Sequence, residues 1–228
     1  MAQASTKFVR ASTQYLTKTT PSGLVTGNNS RTSFGWIKFT TLPSASTNYF
    51  LSDYTDGSRG FAPFVTNDSG TYKFALSDYA SSNPTTITPS TGVWYFWAVT
   101  HDGTNTRLYW DGSLINTTAR TLSMGTPTTM RVASAANNTT NTVNGQLFGV
   151  GFTSDTKSQG DLDAIELLSS SEINGTNITN LISAFCVVED FDDVTGTNDM
   201  TAVNSPTFES DVPVEDPVTN TTNFFIMM

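Results

Sequence analysis

Charge is scarce in this chain of 228 residues: Asp, Glu, Lys and Arg together make up 14%, about half the usual share. Basic residues number 11 against 20 acidic ones, for a net charge of −9. No basic run occurs, and an acidic surface repels phosphate backbones, so nucleic acid is excluded as a partner. The single cysteine, Cys186, excludes an intrachain disulfide. Set in the apolar run FCVV, it reads as a buried, inert thiol. The single histidine, His101, is the one imidazole available to a catalytic triad or a zinc site. It closes a strand beside a turn, where a structural role is expected. No stretch approaches the roughly 18 apolar residues of a membrane span. The opening residues, MAQASTKFVRAS, lack the apolar centre of a secretory signal. The expectation is a protein made in a cytoplasm, with no membrane insertion and no export by the usual route.

Thr, Ser and Asn take the place of charge. That mixture suits β-branched strands and Asx-rich turns rather than long helices. The chain is organised around residues 93–115, VWYFWAVTHDGTNTRLYWDGSLI. Val93–His101 reads as a strand, Asp102-Gly103 as a turn, Thr106–Trp110 as the returning strand, Asp111-Gly112 as a second turn and Ser113–Ile115 as the start of a third strand. Asp-Gly between apolar runs supplies the positive φ that a tight hairpin needs. Further strands are predicted at Lys7–Val9, Tyr15–Leu16, Arg31–Thr40, Asn48–Tyr54, Gly60–Thr66, Thr71–Ser77, Thr126–Ser134, Gly145–Thr153 and Phe185–Phe191. In Arg31–Thr40 the face bearing Phe34 and Trp36 is the more apolar and is expected to look inward. In Gly145–Thr153, Leu147, Gly149 and Gly151 alternate with Phe148, Val150 and Phe152. Residues 137–142 read as a polar turn.

Residues 158–168 (SQGDLDAIELL) are the one predicted helix. Ser158 and Asp161 have capping-box spacing, and Leu162 and Ile165 begin an apolar stripe. A short helical turn is expected over Asn177–Ala184. These elements predict an all-β, antiparallel two-sheet jelly-roll sandwich with one short helix near the C-terminus. The domain is drawn at 1–195. Residues 196–228, acidic and containing proline, either wrap it or extend as an arm.

The central stretch resembles the concanavalin A-like lectin/glucanase superfamily, and within it the laminin G-like jelly-roll modules. The family pattern is a Trp, an apolar strand with Ala and Thr, Asp-Gly, Leu-Tyr, an apolar residue and Asn/Asp-Gly. It is matched here by Trp94, Ala98, Thr100, Asp102, Gly103, Leu108, Tyr109, Asp111 and Gly112. FVRASTQYLT, SFGWIKF and GQLFGVGFTSDTKSQGDLDAIELL look like its opening strand pair, early core strand and late strand and helix, so the resemblance covers roughly residues 7–195. Proteins of this look, without signal peptides and rich in Thr and Asn, are similar to modules on bacteriophage particles. The first functional expectation is therefore a non-catalytic virion surface protein for capsid decoration or fibre adhesion, homo-oligomeric or particle-bound. It would attach to capsid or tail proteins and present loops toward cell-surface glycans. The alternative is a cellular or secreted carbohydrate-binding lectin, with calcium as a conditional cofactor. A glycoside hydrolase ranks third.

The superfamily's retaining glucanases carry a motif resembling Glu-apolar-Asp-apolar-x-Glu on one strand, which sets the two catalytic carboxyls about 5–5.5 Å apart. DLDAIE (Asp161, Asp163, Glu166) is close in letters. On a helix, however, Asp161 and Glu166 diverge by about 140°, and no enzyme is expected. Many superfamily members bind calcium, which takes six to eight oxygen ligands. The candidates here are Asp53 with Asp56, and Glu189, Asp190, Asp192 and Asp193. Stacking platforms for sugars are expected at Tyr49, Tyr54, Tyr79 and Trp110, which lie near loops or turns.

Overall fold

The computed structural model describes residues 3–45, 47–136, 141–186 and 188–214. The polar turn expected over 137–142 falls mostly outside these, as does the tail from residue 215.

Among the described residues, two antiparallel sheets of eight strands each face one another. The first runs β11 (Ser113–Ala119), β10 (Asn105–Trp110), β9 (Trp94–His101), β3 (Arg31–Phe39), β13 (Gly145–Thr153), β1 (Ser5–Phe8) and β16 (Thr207–Glu209), with β14 (Leu181–Phe185) also on β13. The second runs β15 (Thr201–Val203), β2 (Tyr15–Thr19), β12 (Thr129–Val132), β5 (Ser52–Thr55), β6 (Gly60–Asp68), β7 (Thr71–Ser77) and β8 (Thr85–Thr86), with β4 (Asn48–Phe50) on β6. The meander β9–β10–β11 forms as its two Asp-Gly turns dictate. Asp111 and Gly112 both take positive φ, 52° and 70°, the pairing a two-residue hairpin prefers. At the other turn Asp102 accepts hydrogen bonds from the Thr104 and Asn105 amides at 2.9 and 2.7 Å.

The inner faces of both sheets meet in one core that includes Phe8, Ile37, Phe61, Phe74, Trp97 and Leu147. Contrary to the expectation from alternation, Phe34 and Trp36 do not look into it. They lie on the outer face of the first sheet, while Ile37 and Phe39 point inward. Both faces of β3 are buried because α1 (Gln159–Glu166) covers the outer one, packing Leu162 and Ile165 against Phe34, Phe96 and Phe148. The helix starts as read: Ser158 accepts from the Asp161 amide, and Asp161 returns the bond.

Plain alternation also fails in β13. A register irregularity between Phe148 and Gly151 lets Leu147, Val150 and Phe152 all reach the inner core while Phe148 faces out. Gly149, at φ 58°, takes the bend that only a residue without Cβ adopts cheaply. Two further expectations shift. Residues 181–185 form a strand on β13 instead of a helical turn, and Cys186 lies just beyond it. The segment after 195 supplies β15 to one sheet and β16 to the other, so as far as Val214 it wraps the domain.

Candidate functional site

Three of the four expected sugar platforms are buried: Tyr49 is 3% exposed, Tyr54 2% and Trp110 7%. Trp110 sits beside a turn, yet its indole stacks on Tyr95 with centroids 5.4 Å apart and meets Phe74 at 5.2 Å. Tyr54 is wedged between Phe61 and Phe152. Its hydroxyl accepts from Arg31, a fully buried guanidinium whose remaining donors go to the carbonyls of Val25, Thr26, Gly27 and Asn29. Neither Tyr54 nor Trp110 offers a ring face to a ligand. Tyr79 is half-buried, and its hydroxyl donates to Asp53 Oδ2.

Asp53 and Tyr79 are thus brought together, on the outer face of the second sheet. The Asp53 carboxylate is buried under the turn at 133–136 and accepts the Ala136 amide at 2.5 Å, while Oδ1 has no partner. Burial pushes the Asp53 carboxyl up to about 6, against the opposing effects of the Tyr79 and Ala136 hydrogen bonds and the Arg131 charge. Burial and that same carboxylate push the Tyr79 phenol well above its usual range. Arg131 turns elsewhere: it lies 4.6 Å above the Tyr15 ring and donates to the Ala135 carbonyl at 2.6 Å. Asp56 does not join Asp53. It accepts from the amides of Ser58 and Arg59 at 2.7 Å and of Gly125 at 2.5 Å. Partial burial works against ionisation there, and those donors still hold the carboxyl below its usual value.

The second acidic run is dispersed too. Asp193 is consumed locally, accepting from the amides of Ala184, Thr195 and Asn198 and from the Thr195 hydroxyl. Asp190 caps the Asp192 amide at 3.2 Å, and Glu189 points to solvent. Among the described residues no group of three His, Cys, Asp or Glu side chains is placed to hold a metal ion. The calcium candidates are turn-forming carboxylates or, for Asp53, a closed one.

Asp161, Asp163 and Glu166 stand on α1, so they do not form the one-strand arrangement of a retaining glucanase. Glu166 packs against Gly112; burial first, then Asp111 and Asp163, raise its carboxyl. His101 is buried, with Nε2 2.9 Å from Asn28 Oδ1 and Nδ1 3.3 Å from Thr106 Oγ1. Burial and then the Arg31 charge lower its pKa. Burial pushes the Cys186 thiol up to about 12, which makes it unreactive.

An open cleft lies elsewhere, at one end of the sandwich, and has a volume of about 540 Å³. Three loops build it: the 3-10 turn Arg10–Ser12 with Thr13 in the left-handed region, the segment after β3, and the residues leading into β13. Its lining combines the apolar side chains of Ala11, Leu42 and Tyr49 with the polar ones of Arg10, Thr13, Thr41, Ser44 and Asn144. The Arg10 guanidinium lies 5.4 Å above the Tyr49 ring. Asn144 donates from Nδ2 to Thr41 Oγ1 at 2.6 Å, and its backbone carbonyl accepts the Thr40 amide at 3.0 Å. The cleft therefore gathers hydroxyls, an amide and a guanidinium beside apolar side chains, which is the equipment for holding a small polyol ring. Of its residues, sequence reasoning singled out Tyr49 alone. The Arg-Ala-Ser-Thr break between the first two strands was the available signal for the rest.

The family model described as the concanavalin A-like lectin/glucanases superfamily, Laminin_G_3, matches residues 10–163. A comparison with curated proteins gave no match. Among solved structures, the chain is similar to the heptameric SAP-like pentraxin of Limulus polyphemus, with 14% identity, a TM-score of 0.58 and coverage of 86% of this chain and 88% of that one. It is also similar to a protein from Bacteroides ovatus provisionally assigned to carbohydrate binding, with 14% identity and a TM-score of 0.65. That match covers 92% of this chain and 60% of the other. The sandwich, its helix and the matched span together establish that this chain belongs to the concanavalin A-like lectin/glucanase superfamily, as a laminin G-like domain.

Proposed function

We propose that this domain is a non-catalytic carbohydrate-binding module and that the sugar is held in the end cleft. The observation that carries the reading is the cleft's lining: Arg10, Asn144 and the hydroxyl residues Thr13, Thr41 and Ser44 share about 540 Å³ with Leu42 and Tyr49. That space accepts one or two pyranose rings. Amide and hydroxyl groups match sugar hydroxyls, each net hydrogen bond contributing about 1 kcal/mol. The likeness to the Bacteroides ovatus protein supports the same reading. None of the described lining residues is a carboxylate, and binding without calcium is expected.

A glycan array followed by titration of the best hit tests this. The wild-type chain binds, chelation with EDTA changes nothing, and Asn144→Ala and Arg10→Ala each weaken binding about tenfold. Array-wide silence, or a hit indifferent to both substitutions, would refute the proposal. Residence on a virus particle rests on composition and likeness alone. Mass spectrometry of purified particles is its test, and absence of the chain from them would end that reading.

A further inference from the structure

On the outer face of the first sheet, beyond the reach of α1, a row of side chains crosses four strands. Trp94 on β9 pairs with Lys38 on β3, Lys38 with Gln146 on β13, and Gln146 with Lys7 on β1. Directly paired residues point to the same side of a sheet, so the four share one face. The segment after β16 runs over this row. The Asp211 carboxylate lies on the Lys38 ammonium and accepts from the Trp94 indole nitrogen at 3.2 Å, and its backbone carbonyl accepts from Ser5 Oγ at 2.8 Å. Lys38 also lies 5.2 Å above the Trp94 ring.

We propose that Trp94, Lys38 and Gln146 form a second binding site, separate from the end cleft, for a carboxylated saccharide of the uronate type, and that Asp211 fills it in cis. Three observations converge. A carboxylate already sits there, held by an ammonium and an indole N–H fixed on neighbouring strands, and charge-assisted bonds of this kind are the strong ones. The occupying side chain is 55% exposed whereas Lys38 is 14% exposed, so the carboxylate can leave without opening the sheet. Gln146 is 8% exposed, and its Oε1 is buried with no partner. An unpartnered buried acceptor calls for a donor, which a sugar hydroxyl beside the carboxylate supplies. Trp94, half-buried with the Lys38 ammonium over its ring, takes part through its indole N–H.

An internal occupant lowers apparent affinity by the fraction of time the site is free. The full-length chain and Asp211→Ala are titrated with trigalacturonate, followed by tryptophan emission. Asp211→Ala keeps the backbone bond to Ser5 and the buried Val212, so the segment stays in place. It is expected to bind at least about tenfold more tightly than wild type. Adding Lys38→Met to Asp211→Ala abolishes binding, Lys38→Arg retains it, and Asn144→Ala leaves it unchanged, which separates this site from the cleft. Circular dichroism melts establish that each variant is folded. Equal affinity of wild type and Asp211→Ala, or binding indifferent to Lys38, overturns the proposal. Binding of the acidic peptide TFESDVPV to Asp211→Ala with none of trigalacturonate overturns the saccharide assignment.

Discussion

The two sheets meet across one core but treat their outer faces differently. On the first sheet the outer face is a second apolar core: Phe34, Phe96, Tyr109 and Phe148 lie under Leu162 and Ile165 of the helix. On the second sheet it is a small patch, Phe50 stacked on Phe64 at 5.1 Å with three alanines, beside the buried carboxylate of Asp53. Where the outer face is apolar, under α1, the helix seals it. Where it carries a charge, a turn covers it and leaves Asp53 Oδ1 unpartnered. The first face is built for stability. The second gives some of it up.

The sharpest way to break this contrast is to loosen the helix. Ile165→Ala removes a buried branched side chain from between helix and sheet and is expected to cost about 2–4 kcal/mol. Urea unfolding reads the loss, and a change under about 0.5 kcal/mol would show that the helix merely rests on the sheet.

On the other face the expected sign is opposite. The Asp53 carboxyl is raised to about 6 in the fold from an ordinary 3.8, so the folded state holds the proton more tightly than the unfolded one. Its favourable contribution is complete below the unfolded value and is lost as pH rises through about 6. A rise of that size corresponds to roughly 3 kcal/mol at most. Asp53→Asn, which keeps an acceptor for the Ala136 amide, is therefore expected to gain stability relative to wild type between pH 4 and pH 8. A constant difference across that range would contradict the assignment.

His101 works the other way. Its folded pKa is lowered, so the neutral form is favoured and its contribution, complete at high pH, is lost as pH falls below the unfolded value of about 6.5. His101→Gln should flatten that acid limb in melts from pH 7.5 to pH 5. An unchanged slope would mean that the imidazole stays accessible to protons. Least of all should Asn144→Ala affect stability: at the open cleft it should cost under about 0.5 kcal/mol while weakening sugar binding about tenfold.

Legibility in the sequence followed how local the determinant was. The β9–β11 meander and the helix start are set by a few neighbouring residues, Asp111-Gly112 and Ser158 with Asp161, and both were readable. The facing of Phe34 and Trp36 was not, because both sides of β3 are apolar and the choice depends on a helix more than 120 residues away. The alternation of β13 broke at Gly149, whose positive φ the letters do not announce. Trp110 looked exposed because it precedes a turn; Tyr95 and Phe74 bury it from other strands. The cleft was the least legible part. Arg10, Thr41 and Asn144 are ordinary loop residues until three separated segments bring them together, and Trp94, read as a core residue, turned out half-exposed at the edge of a face.

The central claim is that sugar binds in the end cleft. Titrating ¹⁵N-labelled protein with the best array hit and following backbone amide shifts tests it most directly. Binding in the cleft predicts the largest changes at Thr13, Thr41, Ser44 and Asn144, with little at Asp53 or Trp94 for a neutral sugar. Shifts centred on the outer face of either sheet, with the four cleft amides unmoved, would contradict it.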